Sequence, residues 1–192
     1  MSLMKTNRLE AFSDGVLAII ITIMVLELHA PEEASLKSLL PELPTVISFL
    51  LSFVYLGTYW NNHHHMMHVT EQVNGQILWA NLHLLFWLSL IPFVTTWMGE
   101  HYLEPGPVGL YGLVLLMSGL AYYLLQGIIL RHHPEDFVLR KAIGKDIKGK
   151  VSLLLYLLGI IGSFWNTWIG IAMYVAVLIL WVVPDRRIET HL

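Results

Sequence analysis

The chain predicts an all-α integral membrane protein of six transmembrane helices, and three observations carry that prediction. First, 56% of its 192 residues are hydrophobic and only 13% are charged, with a mean hydropathy of +0.62. That balance belongs to lipid-embedded chains rather than to soluble domains. Second, long apolar runs recur, separated by short polar or Pro-rich stretches. Third, a six-span threading leaves nearly every Lys and Arg on one side. The absence of cysteine excludes disulfides and thiolate metal sites. A net charge of −3 gives no footing for nucleic-acid binding.

Residues 1–11 read as a short amphipathic lead-in carrying Lys5 and Arg8. A basic start before an apolar core also describes a signal peptide, but Asp14 and the lack of an A-x-A site before Pro31 argue against it. The first span is 12–28. Pro31, Glu32, Glu33, Pro41 and Pro44 then mark a loop, with a short helix expected around 35–40. The second span, 44–63, opens on Pro44, a residue suited to a first helical turn. Residues 66–75 read as a connection or a helical extension. The third span, 76–97, holds Asn81, His83 and Ser89 among apolar residues, and Pro92 is expected to kink it.

The fourth span, 108–130, carries Gly109, Gly112, Gly119 and Gly127, which permit close helix contact. Residues 131–150 form the strongly basic loop. The fifth and sixth spans, 151–165 and 168–183, are separated by Asn166-Thr167 alone. Each falls short of the roughly 20 residues an upright crossing needs, so they read as a tight hairpin. With no internal repeat, 1–192 is one six-helix unit.

Lys5, Arg8, Arg131, Arg140, Lys141, Lys145, Lys148, Lys150, Arg186 and Arg187 fall on one side of this threading, and only Lys37 on the other. Both termini are therefore expected in the cytoplasm. The opposite side carries Glu32, Glu33, Glu42, Glu100 and Glu104, a negative rim that would concentrate cations. Trp60, Trp79, Trp97, Trp165, Trp168 and Trp181 lie near span ends, as interfacial anchors do.

The first span organises the rest. Its apolar run opens on Phe12-Ser13-Asp14 and closes on Glu27. An ionisable group at the edge of a membrane helix is costly, so Asp14 needs a partner. Arg8 lies six residues away, too far round for a good intrahelical pair, which points to another helix. Ile19, Ile23 and Leu26, spaced by four and three, form one stripe. At about 100° per residue, Asp14 lies about 140° from Ile19, and Thr22 about 60° away. By periodicity alone such a stripe is most simply lipid-facing or core packing.

Three further patterns invite chemistry. In Asn61-Asn62-His63-His64-His65-Met66-Met67-His68, the i,i+4 pair His64 and His68 has metal-ligand spacing, and His with Met suits copper. Only Glu71 is an interleaved carboxylate, and no second such cluster occurs in the membrane, so a polar cap at the span's inner end is the better reading; no metal site is expected. Gly109-Leu110-Tyr111-Gly112 lacks the T-V-G-Y-G filter sequence and a preceding pore helix, and reads as helix packing. No nucleophile with an adjacent base and orienting acid is visible, which argues against an enzyme.

The first span, with Arg8, Phe12, Ser13, Asp14 and then Glu27, resembles the first helix of the transmembrane protein 175 family, the prokaryotic relatives of the endosomal and lysosomal potassium channel. Tyr59-Trp60, His63-His64, Leu78-Trp79-Ala80-Asn81, Leu90-Ile91-Pro92-Phe93, Thr96 and Gly99-Glu100 resemble the same family. The likeness covers roughly the first half of the chain; His65 and His68 depart from it, standing where basic residues are expected. It implies a potassium-permeable cation channel in a prokaryotic inner membrane. It implies a homotetramer with the first helix lining a central pore, potassium and other monovalent cations as permeant ions, and no cofactor. It also implies a structural network in which Arg8, Phe12, Ser13 and Asp14 meet Trp60, His64, and Asn81 or His83.

Within that frame, rings of Ile19, Ile23 and Leu26 would form a hydrophobic constriction that gates by dewetting. Thr22 would flank it with hydroxyls, and Glu27 would sit near the outer mouth. One such helix cannot enclose a path, whereas symmetric copies can. A secondary transporter of a metal ion or proton, using the His cluster and Asp14, is the rival. It lacks the inverted repeat and paired broken helices such transporters carry. A membrane scaffold without transport is a third class.

Overall fold

The computed structural model describes residues 4–70, 72–134, 139–140 and 146–182. Glu71, Lys141, Lys145, Val183 and the tail from Pro184, with Arg186 and Arg187, lie outside them. The helices are α1 (Thr6–Leu26), α2 (Leu43–His68), α3 (Gly75–Ser89), α4 (Ile91–Glu100), α5 (Pro105–His132), α6 (Ile147–Ser163) and α7 (Thr167–Val182). A 3-10 turn at Leu36–Leu39 fills the expected place in the first loop. Two short strands, β1 (Met4–Lys5) and β2 (Gln72–Val73), pair antiparallel.

Taken as one broken rod, α3 and α4 bring the described helices to six, and four of these are long and apolar enough to cross a membrane. The break has a chemical cause. Pro92, in the first turn of α4, has no N–H for the carbonyl of Leu88 and its ring crowds that carbonyl. The ladder restarts where the Val94 N–H donates to Leu90 at 3.2 Å. Most spans run longer than the sequence suggests. The first begins at Thr6 rather than after a lead-in, and the second continues to His68, so 66–68 are helical extension. Asn74 starts α3 by accepting from the N–H groups of Gln76 and Ile77.

Side chains mark which helix ends meet. Glu10 of α1 pairs with His64 near the end of α2. The Tyr122 hydroxyl of α5 donates to the Asn62 carbonyl, and the Trp181 indole of α7 donates to Ser152 of α6. Arg8, Arg131, Lys148 and Lys150 therefore share one end of the bundle, while Lys37, Glu32, Glu33, Glu42, Glu100 and Glu104 belong to the other.

The core is tied together by tyrosines. Tyr111 is fully buried and hydrogen-bonds Ser52, which also bonds Thr95, so α2, α4 and α5 meet at one polar knot. Tyr55 donates to the Tyr174 carbonyl, and Tyr174 donates to that of Val108 at 3.2 Å. A Cβ on Gly112 would stand 1.9 Å from the Tyr174 hydroxyl, so this glycine makes room for a neighbouring ring. A Cβ on Gly127, by contrast, would meet nothing within 4 Å, and the expectation of a close contact there does not hold. In the α6–α7 hairpin, Asn166 accepts from the Trp168 N–H, and a Cβ on Gly170 would stand 3.0 Å from the Gly159 carbonyl.

Candidate pore face and the polar network behind it

The face α1 turns toward its own subunit is regular. Thr6, Leu9, Ser13, Leu17, Ile20 and Met24 are buried at steps of three and four, the spacing of one helical stripe. Against Leu17 at 2%, Ile20 at 4% and Met24 at 2% exposed, Ile19 is 59%, Ile23 42% and Leu26 77% exposed. The predicted stripe is thus not core of this subunit. Ile19 and Ile23 of that stripe line an open groove, with Val16, Glu27 and, from α4, Phe93, Thr96 and Glu100. Phe93 is itself 62% exposed. Glu27 and Glu100 share the groove's acidic end. Thr22 is exposed, and its hydroxyl donates to the Ile19 carbonyl at 2.9 Å, which leaves oxygen lone pairs outward.

Behind the N-terminal half of α1 runs a chain of polar side chains. The Asn81 amide donates to Ser13 Oγ at 2.9 Å, and Ser13 in turn donates to the Leu9 carbonyl. Asn81 Oδ1 lies 2.7 Å from His63 Nε2 and can only accept, so Nε2 carries the proton. Ser13 and Asn81 are fully buried and His63 nearly so. Each donor hands on to an acceptor from α2 through α3 to the α1 backbone, and such chains strengthen cooperatively. Beside it, the Trp60 indole donates to Asp14 Oδ1 at 3.0 Å, so the acid's partner is on another helix.

The network differs in membership from the one the resemblance implies. His63, not His64, joins Asn81; His64 reaches Glu10 at 2.8 Å instead. His83 stands apart, accepting from Trp87 on its own helix. Arg8 is exposed, and Phe12 is 51% exposed on the side of the outward stripe. A signal for His63 was present: Ser48, Ser52, Tyr55, His63 and Met67 recur on one buried face of α2, while His64 lies about 100° round. Nothing local distinguished Glu10, a carboxylate in a stretch that reads from sequence as a lead-in. His63 and His64 thus go to different partners, while the rings of His65 and His68 lie with centroids 5.6 and 6.0 Å from that of His64.

Comparison with known proteins accords with this geometry. The family model for the endosomal/lysosomal potassium channel TMEM175 matches residues 8–92. A potassium channel from Chryseobacterium sp. (strain P1-3) is 51% identical over 189 residues, covering 98% of both chains. One from Chamaesiphon minutus is 35% identical over 107 residues, 53% of each chain. One from Streptomyces collinus is 30% identical over 129 residues, 63% of each. Among solved structures, the crystal structure of a lysosomal potassium-selective channel TMEM175 homolog from Chamaesiphon minutus superposes with a TM-score of 0.81. The two are 27% identical, with 94% of this chain and 97% of that one covered. Matched along nearly its whole length by such a relative, the chain belongs to the TMEM175 family of potassium channels.

Proposed function

We propose that this chain is one subunit of a potassium-permeable channel, in which four copies surround a central path with α1 innermost. The observation that carries the reading is the outward stripe of Ile19, Ile23 and Leu26, left bare by a subunit that buries the neighbouring face of the same helix. Hydrocarbon this exposed on an innermost helix either meets lipid or closes on symmetric copies of itself. In the second arrangement the three rings form a constriction that offers a passing ion nothing in exchange for its water, so conduction is controlled by wetting rather than by a T-V-G-Y-G carbonyl filter. Thr22 lone pairs on the flank offer partial replacement for lost water. Glu27, with Glu100 in the same groove, draws cations to the outer mouth.

The basic bundle end faces the cytoplasm of a prokaryotic inner membrane, with both termini there. The polar chain through Ser13, Asn81 and His63, with Asp14 and Trp60 beside it, holds α1 at a fixed rotation so that the stripe points inward; its role is structural.

Flux into liposomes, measured side by side for Ile19→Asn, Ile23→Asn, Leu26→Asn and Val25→Asn, tests the constriction. Val25 lies about 160° from Ile23 and serves as the comparison position. The first three raise leak and weaken discrimination among cations, and Val25→Asn does neither. Equal effects at all four positions would place the gate elsewhere. Native mass measurement is expected to give tetramers, and monomers alone would remove the pore. Unitary currents from the purified protein separate a channel from a transporter.

A further inference from the structure

Away from α1, the structure holds a second cavity at the basic end of the bundle, enclosed by α2, α5, α6 and α7. Its wall is largely aromatic: Tyr59, Tyr122, Tyr156 and Trp181 line it, with Asp146 at the start of α6. The space open to water centres is about 50 Å³, room for about four waters or one compact headgroup. The rings are held by one another. Tyr59 and Tyr122 pack edge-on with centroids 6.2 Å apart, and Tyr122 and Trp181 do so at 6.5 Å.

Two of the polar tips are turned to protein partners. Tyr122 donates to the Asn62 carbonyl and Trp181 to Ser152. The carboxylate of Asp146 accepts from the Gly149 N–H at 3.1 Å and from the Gln126 amide at 3.4 Å. Both of these donors, among the described residues, are neutral. Among the described residues lining the cavity there is one carboxylate and no Lys or Arg.

We propose that this cavity binds a compact organic cation, a quaternary ammonium or protonated amine group. Aromatic faces attract such a cation through the ring quadrupole, most strongly where water is excluded, and quaternary ammonium recognition is the established use of such cages. A carboxylate at the rim supplies the complementary charge. The same chemistry serves a lipid headgroup or a free amine. Because α1 contributes no residue to the cavity, the proposal is independent of the pore reading.

The test uses the full chain in a maltoside detergent, in constant potassium chloride, titrated with tetramethylammonium by calorimetry. Saturable binding is expected. Asp146→Asn raises the dissociation constant about tenfold, Tyr122→Leu raises it about fivefold, and Tyr122→Phe, which keeps the ring, leaves it within about twofold. Asp146→Asn suits the purpose because residue 146 caps α6 with a φ of 45°, and Asn both caps helices and tolerates that conformation. It therefore carries the test should Tyr122→Leu fail to fold. In lipid nanodiscs, retention of phosphatidylcholine over phosphatidylglycerol that Asp146→Asn abolishes identifies a headgroup ligand. Tetramethylammonium binding in phosphatidylglycerol discs identifies a free amine. No saturable binding in either setting, or binding untouched by both Asp146→Asn and Tyr122→Leu, overturns the proposal.

Discussion

The two halves of α1 are built on opposite terms. Its N-terminal half is pinned by polar pairs inside the subunit: Glu10 to His64, Ser13 to Asn81, Asp14 to Trp60. Its C-terminal half turns Leu17, Ile20 and Met24 inward and leaves Ile19, Ile23 and Leu26 without cover. Hydrogen bonds are directional and expensive to leave unmade in a dry interior, so they fix rotation and depth. Apolar contact is not directional, so a face supplied with hydrocarbon alone takes its meaning from whatever assembles against it. On the proposed reading, in which α1 presents one face to an ion path, a clamp at one end and a plain apolar face at the other suit the helix.

The largest expected effect breaks the clamp at its centre. Asn81→Leu strands the His63 Nε2–H in a dry site, while Ser13 keeps its bond to the Leu9 carbonyl, and lowers resistance to unfolding in detergent by about 1–3 kcal/mol. A change under about 0.5 kcal/mol would mean that the buried chain does not set the position of α1. Asp14→Ala comes next, at about 1–2 kcal/mol, because Asp14 is half-buried and makes one charge-assisted bond. Its damage falls on tetramer yield rather than on ion preference. Normal folding with altered selectivity would put Asp14 on the ion path.

The Glu10–His64 pair is partly open to solvent, with side chains 20% and 44% exposed, so a double-mutant cycle with Glu10→Gln and His64→Ala is expected to give at most about 1 kcal/mol of coupling. The smallest effect sharpens the comparison from the other side. Ile23→Ala opens no cavity within the subunit and shifts the unfolding of the isolated subunit by under about 0.5 kcal/mol, while changing conductance in the assembled channel. A stability loss of the size seen for core truncations would show that Ile23 packs inside the subunit after all.

Much of this was legible along the chain because membrane burial writes itself in runs. The apolar helices, the break at Pro92 and the turn before Thr167 follow from apolar length, a missing N–H and the Asn166 side chain that accepts from the Trp168 N–H. Helix ends were less legible: α2 keeps its hydrogen bonds through His68 although its apolar run stops near His63. The need of Asp14 for a partner on another helix was also readable, since an acid beside an apolar run has few alternatives.

What only the tertiary structure decided is rotation. Neighbouring histidines differ by about 100° around α2, and the crossing of α2 with α3 puts His63 on Asn81 and hands His64 to Glu10. The same holds for His83, which composition offered to the network and geometry gave to Trp87. The aromatic cavity had no sequence signature, because Tyr59, Tyr122, Tyr156 and Trp181 come from four helices and converge only when those helices pack. Sequence alone determined which segments form long apolar helices, since that depends on local hydrophobicity summed along one helix. Which side chains meet there depends on helix facing and crossing, and those arise only from contacts between segments far apart in the chain.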